Sequence, residues 1–262
     1  MSTKISPSPF PIELVENVLE HAYAEYRPLE KPVTLYQCAL VCQTWRIIAQ
    51  SLIFSECVLS LGSPQIESLK RDDTIRHLVR RVWVNVVSGS SVNELSGLLP
   101  GLQEVYVLSQ LDELFTFLSD PHTELPKPFM LANDTFVLGN LTSFGLSSIS
   151  FPLKLFRHCT SLRELKINRC VFEHEDDADS LHAPQQLMLH SFHLRAHTHQ
   201  EMDVISWMLS SNSPFNWTQL TTLRVCNQTH KFKTHKLVEA LVERCASTLE
   251  DLMVEPPNGY PS

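Results

Sequence analysis

One spacing recurs along most of this chain and restricts its fold more than any other feature. An apolar residue is followed by apolar residues three and five positions later. Clear instances are Leu102–Val105–Val107, Leu141–Phe144–Leu146, Leu162–Leu165–Ile167, Leu220–Leu223–Val225 and Leu249–Leu252–Val254. Val79–Val82–Val84 and Leu189–Phe192–Leu194 are weaker instances. Successive first positions lie 23, 39, 21, 27, 31 and 29 residues apart. The last two members of each triplet differ by two, so in a strand they share one face. The 39-residue step has room for another unit near Phe136 and Leu138.

Helical stripes fill the intervals. Ser91 with Glu94 has capping-box spacing ahead of Leu95, Leu98 and Leu99. Leu111, Leu114, Phe115 and Leu118 form a second stripe, and Met202, Ile205, Met208 and Leu209 a third. Leu237, Ala240, Leu241 and Cys245 form the last, with Thr234 as a cap. Pro152 opens a turn carrying Leu153 and Phe156. Strand alternating with helix at this period predicts a βα stack in which each unit buries its face against its neighbours. Pro256-Pro257 follows the final triplet with no polar capping unit, which fits either a short array or a truncated form.

The N-terminal part has another texture. Residues 1–9 are rich in Ser, Pro and Lys and read as a disordered lead-in. Pro11 suits a first helical position. Ile12, Val15, Val18, Leu19 and Ala22 then keep the three-four spacing of one helical face. Residues 24–33 hold two prolines and read as a loop. A second helix opens at Thr34, where Thr34 and Gln37 form a capping-box pattern, with Leu35, Cys38 and Ala39 as its apolar face. A third helix carries Val41, Trp45, Ile48, Ala49 and Leu52. Three helices in about fifty residues bury little surface, so such a module gains from a partner.

Two short motifs carry a family resemblance. Phe10-Pro11-Ile12-Glu13-Leu14-Val15 resembles the opening signature of the F-box, with Phe10 where the family usually has leucine. Ala39-Leu40-Val41-Cys42-Gln43-Thr44-Trp45-Arg46 resembles its second signature, L-V-C-x-x-W. The loop between them is longer than in the commonest version, as in fungal-type F-box proteins. The resemblance implies a three-helix F-box over residues 10–60, docking a Skp-type adaptor and through it a cullin–RING ubiquitin ligase. It implies adaptor contacts at Pro11, Ile12, Leu14, Val15, Leu40, Val41 and Cys42. Val18, Leu19, Trp45, Ile48 and Leu52 are expected to be core. Residues 61–257 resemble the irregular leucine-rich regions that follow many F-boxes, and 258–262 form a tail. The expected fold class is therefore α+β or α/β: an F-box followed by a leucine-rich-repeat-like solenoid.

Between the second and third apolar positions, each strand exposes one residue on the opposite face. These are Trp83, Tyr106, Gly145, Lys166, His193, Arg224 and Met253, followed on the same face by Asn85, Asn168 and Arg195. Aromatics and arginine are favoured at interface hot spots. Trp83, Tyr106, Lys166, Asn168, His193, Arg195 and Arg224 are the candidate target-binding residues. The cluster of Lys166, His193, Arg195 and Arg224 suggests an acidic or phosphorylated segment of a target protein.

Composition removes other classes. A formal charge of −8 disfavours nucleic-acid binding. There is no signal-peptide pattern and no apolar run long enough for a membrane span, so an intracellular place, in cytoplasm or nucleus, is expected. The 7 Cys then read as thiols. His190, His193, His197 and His199 lie in line along a strand and turn rather than around a point, so no metal is expected. Cys38 and Cys42 have near-zinc spacing but no second pair. The acidic run 173–179 lacks the glycine and terminal glutamate of a calcium loop. Neither a phosphate loop nor a nucleophile elbow occurs, and no catalysis or cofactor is expected. The expected function is substrate recognition within an SCF-type (Skp–cullin–F-box) ligase; the alternative is a repeat scaffold without a ligase role.

Overall fold

The computed structural model describes residues 11–24, 33–60, 63–86, 94–109, 129–130, 140–152, 156, 159–173, 186–196, 199–210, 213–227 and 232–255. It is a mixed α/β molecule built on one eight-stranded, wholly parallel sheet. Phe10, Ser91, the 111–118 stripe, Phe136, Leu138, Leu153, His197, residues 174–179 and Pro256-Pro257 lie outside the described residues.

Three helices come first: α1 (Ile12–Ala24), α2 (Val33–Cys38) and α3 (Gln43–Ser55). Val15, Leu19, Leu35, Ala49 and Ile53 form their core, with Tyr23, Cys38, Ala39, Trp45, Ile48, Leu52 and Phe54 packed against it. Of the residues expected as core, Leu19 lies in it, and Trp45, Ile48 and Leu52 are partly buried against it. Val18 is outside it, 58% exposed. Val15, Leu19 and Tyr23 repeat every four residues and already fill the inward stripe. Leu14 and Val18, also four apart, form a second stripe facing away. The third helix starts two residues later than its spacing predicts, because Val41 and Cys42 belong to the turn before it.

α3 runs directly into β1 (Glu56–Ser60), the first strand of the sheet. The sequence pattern has no triplet there, and a helical module extending to residue 60 is corrected by this pairing. α4 (Pro64–Arg71) and α5 (Asp73–Leu78) follow. Pro64 occupies the first turn of α4 and the Asp72 side chain accepts from the Ile75 N–H to cap α5. Then come β2 (Arg81–Asn85), α6 (Glu94–Leu98), β3 (Glu104–Leu108), β4 (Phe129–Met130), β5 (Ser143–Ser147), β6 (Ile149–Pro152), β7 (Glu164–Asn168), β8 (Val171–Glu173), β9 (Leu187–Met188), β10 (Ser191–Ala196), α7 (His199–Met208), β11 (Phe215–Asn216), β12 (Thr222–Asn227), α8 (Phe232–Cys245) and β13 (Asp251–Glu255). Pro152 is the last residue of β6, the residues directly after it lie outside the described ones, and Thr234 lies inside α8 rather than ahead of it.

The sheet order is β1-β2-β3-β5-β7-β10-β12-β13, so strands are added in chain order on one side. Each triplet places its second and third residues inside the corresponding strand. Val82, Val84, Val105, Val107, Phe144, Leu146, Leu165, Ile167, Phe192, Leu194, Leu223 and Val225 are all buried. Two strands turn sharply at their ends. Ser148 and Arg169 have φ of 53°, the left-handed region, and each leads into a short strand of a second parallel sheet, β4-β6-β8. Among the described residues, no helix is long and apolar enough to cross a membrane.

Aromatic rings fill the space behind the sheet. Phe156 sits among Phe144, Phe151, Phe215 and Trp207, with centroids 6.4, 5.7, 5.3 and 6.4 Å away. It is 1% exposed. Phe156→Ala is expected to destabilise the fold by about 3–5 kcal/mol, because four rings lose a common neighbour. Denaturant titration of the variant measures this.

Candidate functional site

Two surfaces concentrate what this chain offers a partner. The first lies on the helical module. Ile12, Leu14, Val18, Val33, Tyr36, Leu40, Val41 and Ile47 are all exposed, although each is apolar or aromatic. Leu40, Val33 and Val41 stand out most, at 78%, 69% and 64%. Backbone bonds from Leu40 N to Gln37 O (3.0 Å) and Val41 N to Cys38 O (3.1 Å) hold Leu40 and Val41 in a tight turn. Arg46 Nε donates to Ala39 O at 3.1 Å across that turn. Cys42 has extended backbone and its carbonyl accepts from Arg46 N at 2.9 Å, starting α3. Exposed apolar clusters of this kind mark interaction surfaces.

Pro11, Ile12, Leu14, Leu40, Val41 and Cys42, expected as adaptor contacts, are exposed. Val15 is not available for contact, since it is 2% exposed in the module's core. Val15 and Val18 thus exchange the places expected of them. Val33, Tyr36 and Ile47 extend the surface and escaped the sequence reading, whose family motifs do not include them.

The second surface is a groove of about 780 Å³ along the open face of the sheet. All seven candidate target-binding residues line it: Trp83, Tyr106, Lys166, Asn168, His193, Arg195 and Arg224. Parallel register explains why. Val58, Trp83, Tyr106, Gly145, Lys166, His193, Arg224 and Met253 are paired neighbours in one row across eight strands. Two residues later, Ser60, Asn85, Leu108, Ser147, Asn168, Arg195, Cys226 and Glu255 form a parallel row. Two residues earlier runs a row the sequence reading overlooked: Glu56, Arg81, Glu104, Ser143, Glu164, Ser191, Thr222 and Asp251. Extending the alternation one step back from each triplet would have found it.

That third row changes the electrostatics. Arg81 grips Glu104 with two bonds, Nε–Oε2 at 2.6 Å and Nη2–Oε1 at 2.9 Å. The Glu104 hydrogen bond holds the guanidinium above its ordinary range. Lys166 Nζ lies 3.0 Å from Glu164 Oε1, donates to Tyr106 Oη at 3.2 Å, and sits 5.3 Å from the Tyr106 ring centroid. Burial pulls the Lys166 ammonium down, but Tyr106 and Glu164 outweigh it and the net shift is upward. Arg224 Nη2 is 2.9 Å from Asp251 Oδ2. His193 shifts downward, chiefly by burial and then by the Lys166 charge. Within the expected cluster of four cations, Lys166 and Arg224 are therefore engaged by acids, and the shift of His193 favours its neutral ring.

At the other end Trp83 and Tyr106 stack, with centroids 4.3 Å apart and planes 16° from parallel. Gly145 makes this possible. A Cβ there would lie 2.3 Å from Tyr106 Cδ1, so a side chain would displace the ring. Trp83 Nε1 donates to Glu56 Oε1, and Tyr23 Oη on α1 donates to Glu56 Oε2 at 2.9 Å. Glu56 is 6% exposed and ties the helical module to the groove. Burial, more than anything else, raises the Tyr23 phenol above its ordinary value.

Other expected features resolve simply. His193 lies in the groove, whereas His199 begins α7. Among the described residues, no three metal-binding side chains converge. No cysteine forms a disulfide. Burial pushes the Cys159 thiol up to about 12.

Gly145→Ala is expected to tilt Tyr106 off Trp83 and to reduce the near-UV circular dichroism of the pair while the far-UV spectrum is kept. In an NMR titration, His193 is expected to have its midpoint below the ordinary imidazole value of about 6.5. Lys166→Met should move that midpoint upward. Because the folded value is the lower one, the unfolded chain binds the proton first. His193 therefore makes the fold less stable as pH drops through the ordinary value. An unchanged midpoint in the Lys166 variant would contradict the contribution assigned to the Lys166 charge. No protein family, curated protein or solved structure matches this chain.

Proposed function

We propose that this chain is an F-box protein, the substrate-recognition subunit of an SCF-type ubiquitin ligase. The helical module docks a Skp-type adaptor, and the sheet groove holds a target protein. One observation carries the reading. The residues at which the chain resembles the F-box motifs, Ile12, Leu14, Leu40 and Val41, are apolar and yet 48%, 54%, 78% and 64% exposed. The module keeps its own core from other residues, so these are spare for a partner.

The repeat segment supports the same reading. Leu162-x-x-Leu165-x-Ile167-x-x-Cys170-x-Phe172 meets the L-x-x-L-x-L-x-x-C-x-L spacing of leucine-rich repeats, with Phe172 at the last leucine. Cys170 is wholly buried, and its Sγ donates to Asn168 O at 3.2 Å. A solenoid of such units presents an open sheet face next to the docking module. The chain itself performs no chemistry on this reading. It raises the local concentration of a target lysine beside a ubiquitin-charged enzyme.

Pro11→Ala combined with Leu40→Asp is expected to weaken adaptor binding by about thirtyfold or more, the scale of a hot-spot loss of about 2 kcal/mol. Both residues are exposed, so the melting temperature should stay within a degree or two. Cys42 provides an independent readout. It is an exposed thiol in the docking turn, so saturating adaptor should slow its alkylation while Cys57 alkylation is unaffected. Equal adaptor affinity in the double variant, with no protection of Cys42, sinks the proposal.

A further inference from the structure

We infer that β13 takes on a strand from another protein. The partner is an extended basic segment that pairs along the open edge, sets two alternate apolar side chains beside Leu252 and Val254, and places Lys or Arg opposite Asp251. Leu252 and Val254 belong neither to the docking turn nor to the lining of the groove. This surface stands whether or not the chain serves a ligase.

The two edges of the main sheet are finished differently. β1 has α3 directly before it and α4 soon after it, and its Leu59 is buried. β13 ends the opposite side and pairs with β12 without interruption, from Thr222 opposite Asp251 to Cys226 opposite Glu255. Leu252 and Val254 stand opposite Leu223 and Val225, which are 0% and 1% exposed. Yet Leu252 and Val254 are themselves 48% and 43% exposed. β12 has a strand on each side, whereas β13 has one neighbour. A strand with one neighbour turns part of its N–H and C=O groups outward, and among the described residues no strand meets those of β13. Native edges are commonly blunted by Lys, Pro, a bulge or a covering element. Leu252-Met253-Val254 carries no charge and no proline, and its register is unbroken. Such an edge fits strand addition, in which main-chain bonds give affinity and alternate side chains give specificity.

Charge selects the occupant. Asp251 and Glu255 bracket Met253 at alternate positions of the strand, and Glu250 just before it is exposed. Asp251 is held from one side by Arg224, at 2.9 Å. The same row shows that a charge here can serve two neighbours: Arg81 lies 2.6 Å from Glu104 and 3.7 Å from Glu56. A cation on the incoming strand opposite Asp251 continues that alternation. A second copy of this chain does not supply it. With all five residues of two β13 strands paired antiparallel, Leu252 meets Val254, but Asp251 meets Glu255 twice. Like charges directly opposite are destabilising, and each copy carries a formal charge of −8. Because side chains alternate, the fitting segment has a cation, an apolar residue, any residue and a second apolar residue, in that order or its reverse.

The test is selection of a displayed random 12-residue peptide library on the purified full chain, followed by synthesis of the enriched sequences. The expected result is enrichment of Lys or Arg beside an apolar residue, with another apolar residue two positions on. Bound peptide should slow hydrogen exchange at the amides of residues 251–255. Leu252→Lys, shown by its melt to be folded, should weaken those peptides at least tenfold. N-methylation of one alternate set of peptide amides should do the same, and methylation of the other set should not. Asp251→Lys should also weaken them, and Glu in place of the peptide's cation should restore much of the loss. Trp83→Ala should leave their affinity unchanged. Peptides lost in Trp83→Ala but indifferent to Leu252→Lys overturn the edge site while the groove reading survives. Peptides sensitive to Leu252→Lys that carry no cation overturn the basic partner. A dimer of the chain alone that Leu252→Lys dissociates gives the edge to a second copy and overturns the proposal. So does a selection that returns no peptide sensitive to Leu252→Lys.

Discussion

Unshifted parallel pairing is the constraint on which the rest of this structure depends. From β2 onward, each strand of the main sheet meets the next with the middle residue of one triplet opposite the middle residue of the following one. A slip of one residue in any strand from β2 to β12 of this sheet would turn its two buried triplet side chains outward and push a groove residue into the core. For β7 that would bury Lys166 and expose Leu165 and Ile167. Such an exchange costs several kcal/mol in lost burial alone, at about 1.5–3 kcal/mol per large apolar side chain. The core thus fixes the register, and the register assembles the groove. No residue of the groove needs to hold another in line; the leucines and valines beneath do it.

A second constraint acts at the junction between helices and sheet. The helix α3 becomes β1 without a break, and Arg80 N donates to Ser55 O at 2.8 Å just where the change occurs. Glu56 opens β1 as a buried carboxylate. Burying such a charge is costly unless it is fully engaged. Here Tyr23 binds it from α1, Trp83 binds it from β2, and Arg81 stands 3.7 Å away. Turning the helical module relative to the sheet would strip Glu56 of its Tyr23 partner. The Leu40–Val41 turn and the groove are therefore tied together both through the continuous chain of α3 and β1 and through a buried acid. For a protein proposed to hold a target at a fixed place, that connection is what converts two binding sites into positioning.

How much of this the sequence discloses follows from what each pattern measures. Triplet spacing reports side-chain alternation, a local property, and all six triplets from Val79 to Leu220 place their last two residues inside strands. The groove residues follow from the same alternation. Strand β1 escaped because Glu56–Ser60 lacks a leading apolar residue; its start is set by α3 instead. In α1, Ile12, Val15, Val18, Leu19 and Ala22 look like one face. Which part of that face is buried depends on the width of the contact with α3, and no local pattern encodes that width. Hence Val15 and Val18 changed places. The acid partners of Lys166 and Arg224 were visible as letters, Glu164 and Asp251, but they become partners only through cross-strand and same-strand geometry.

Those acids alter what the groove can be. An unopposed row of three cations would attract any polyanion, including nucleic acid, at long range. With Glu56, Glu104, Glu164 and Asp251 beside Arg81, Lys166 and Arg224, the face carries nearly balanced charge arranged in rows. Balanced rows have a weak far field and a strong near field. Beyond the Debye length of about 8 Å little attraction remains, whereas a group lying on the sheet meets well-defined neighbours. Such a surface selects by placement rather than by net charge. The chain's overall charge of −8 works in the same direction, since it opposes capture of loose anions. Discrimination then falls to the positions where a ligand must supply something missing, and the Asn168 Oδ1, buried in the groove with no hydrogen-bond partner among the described residues, is such a position.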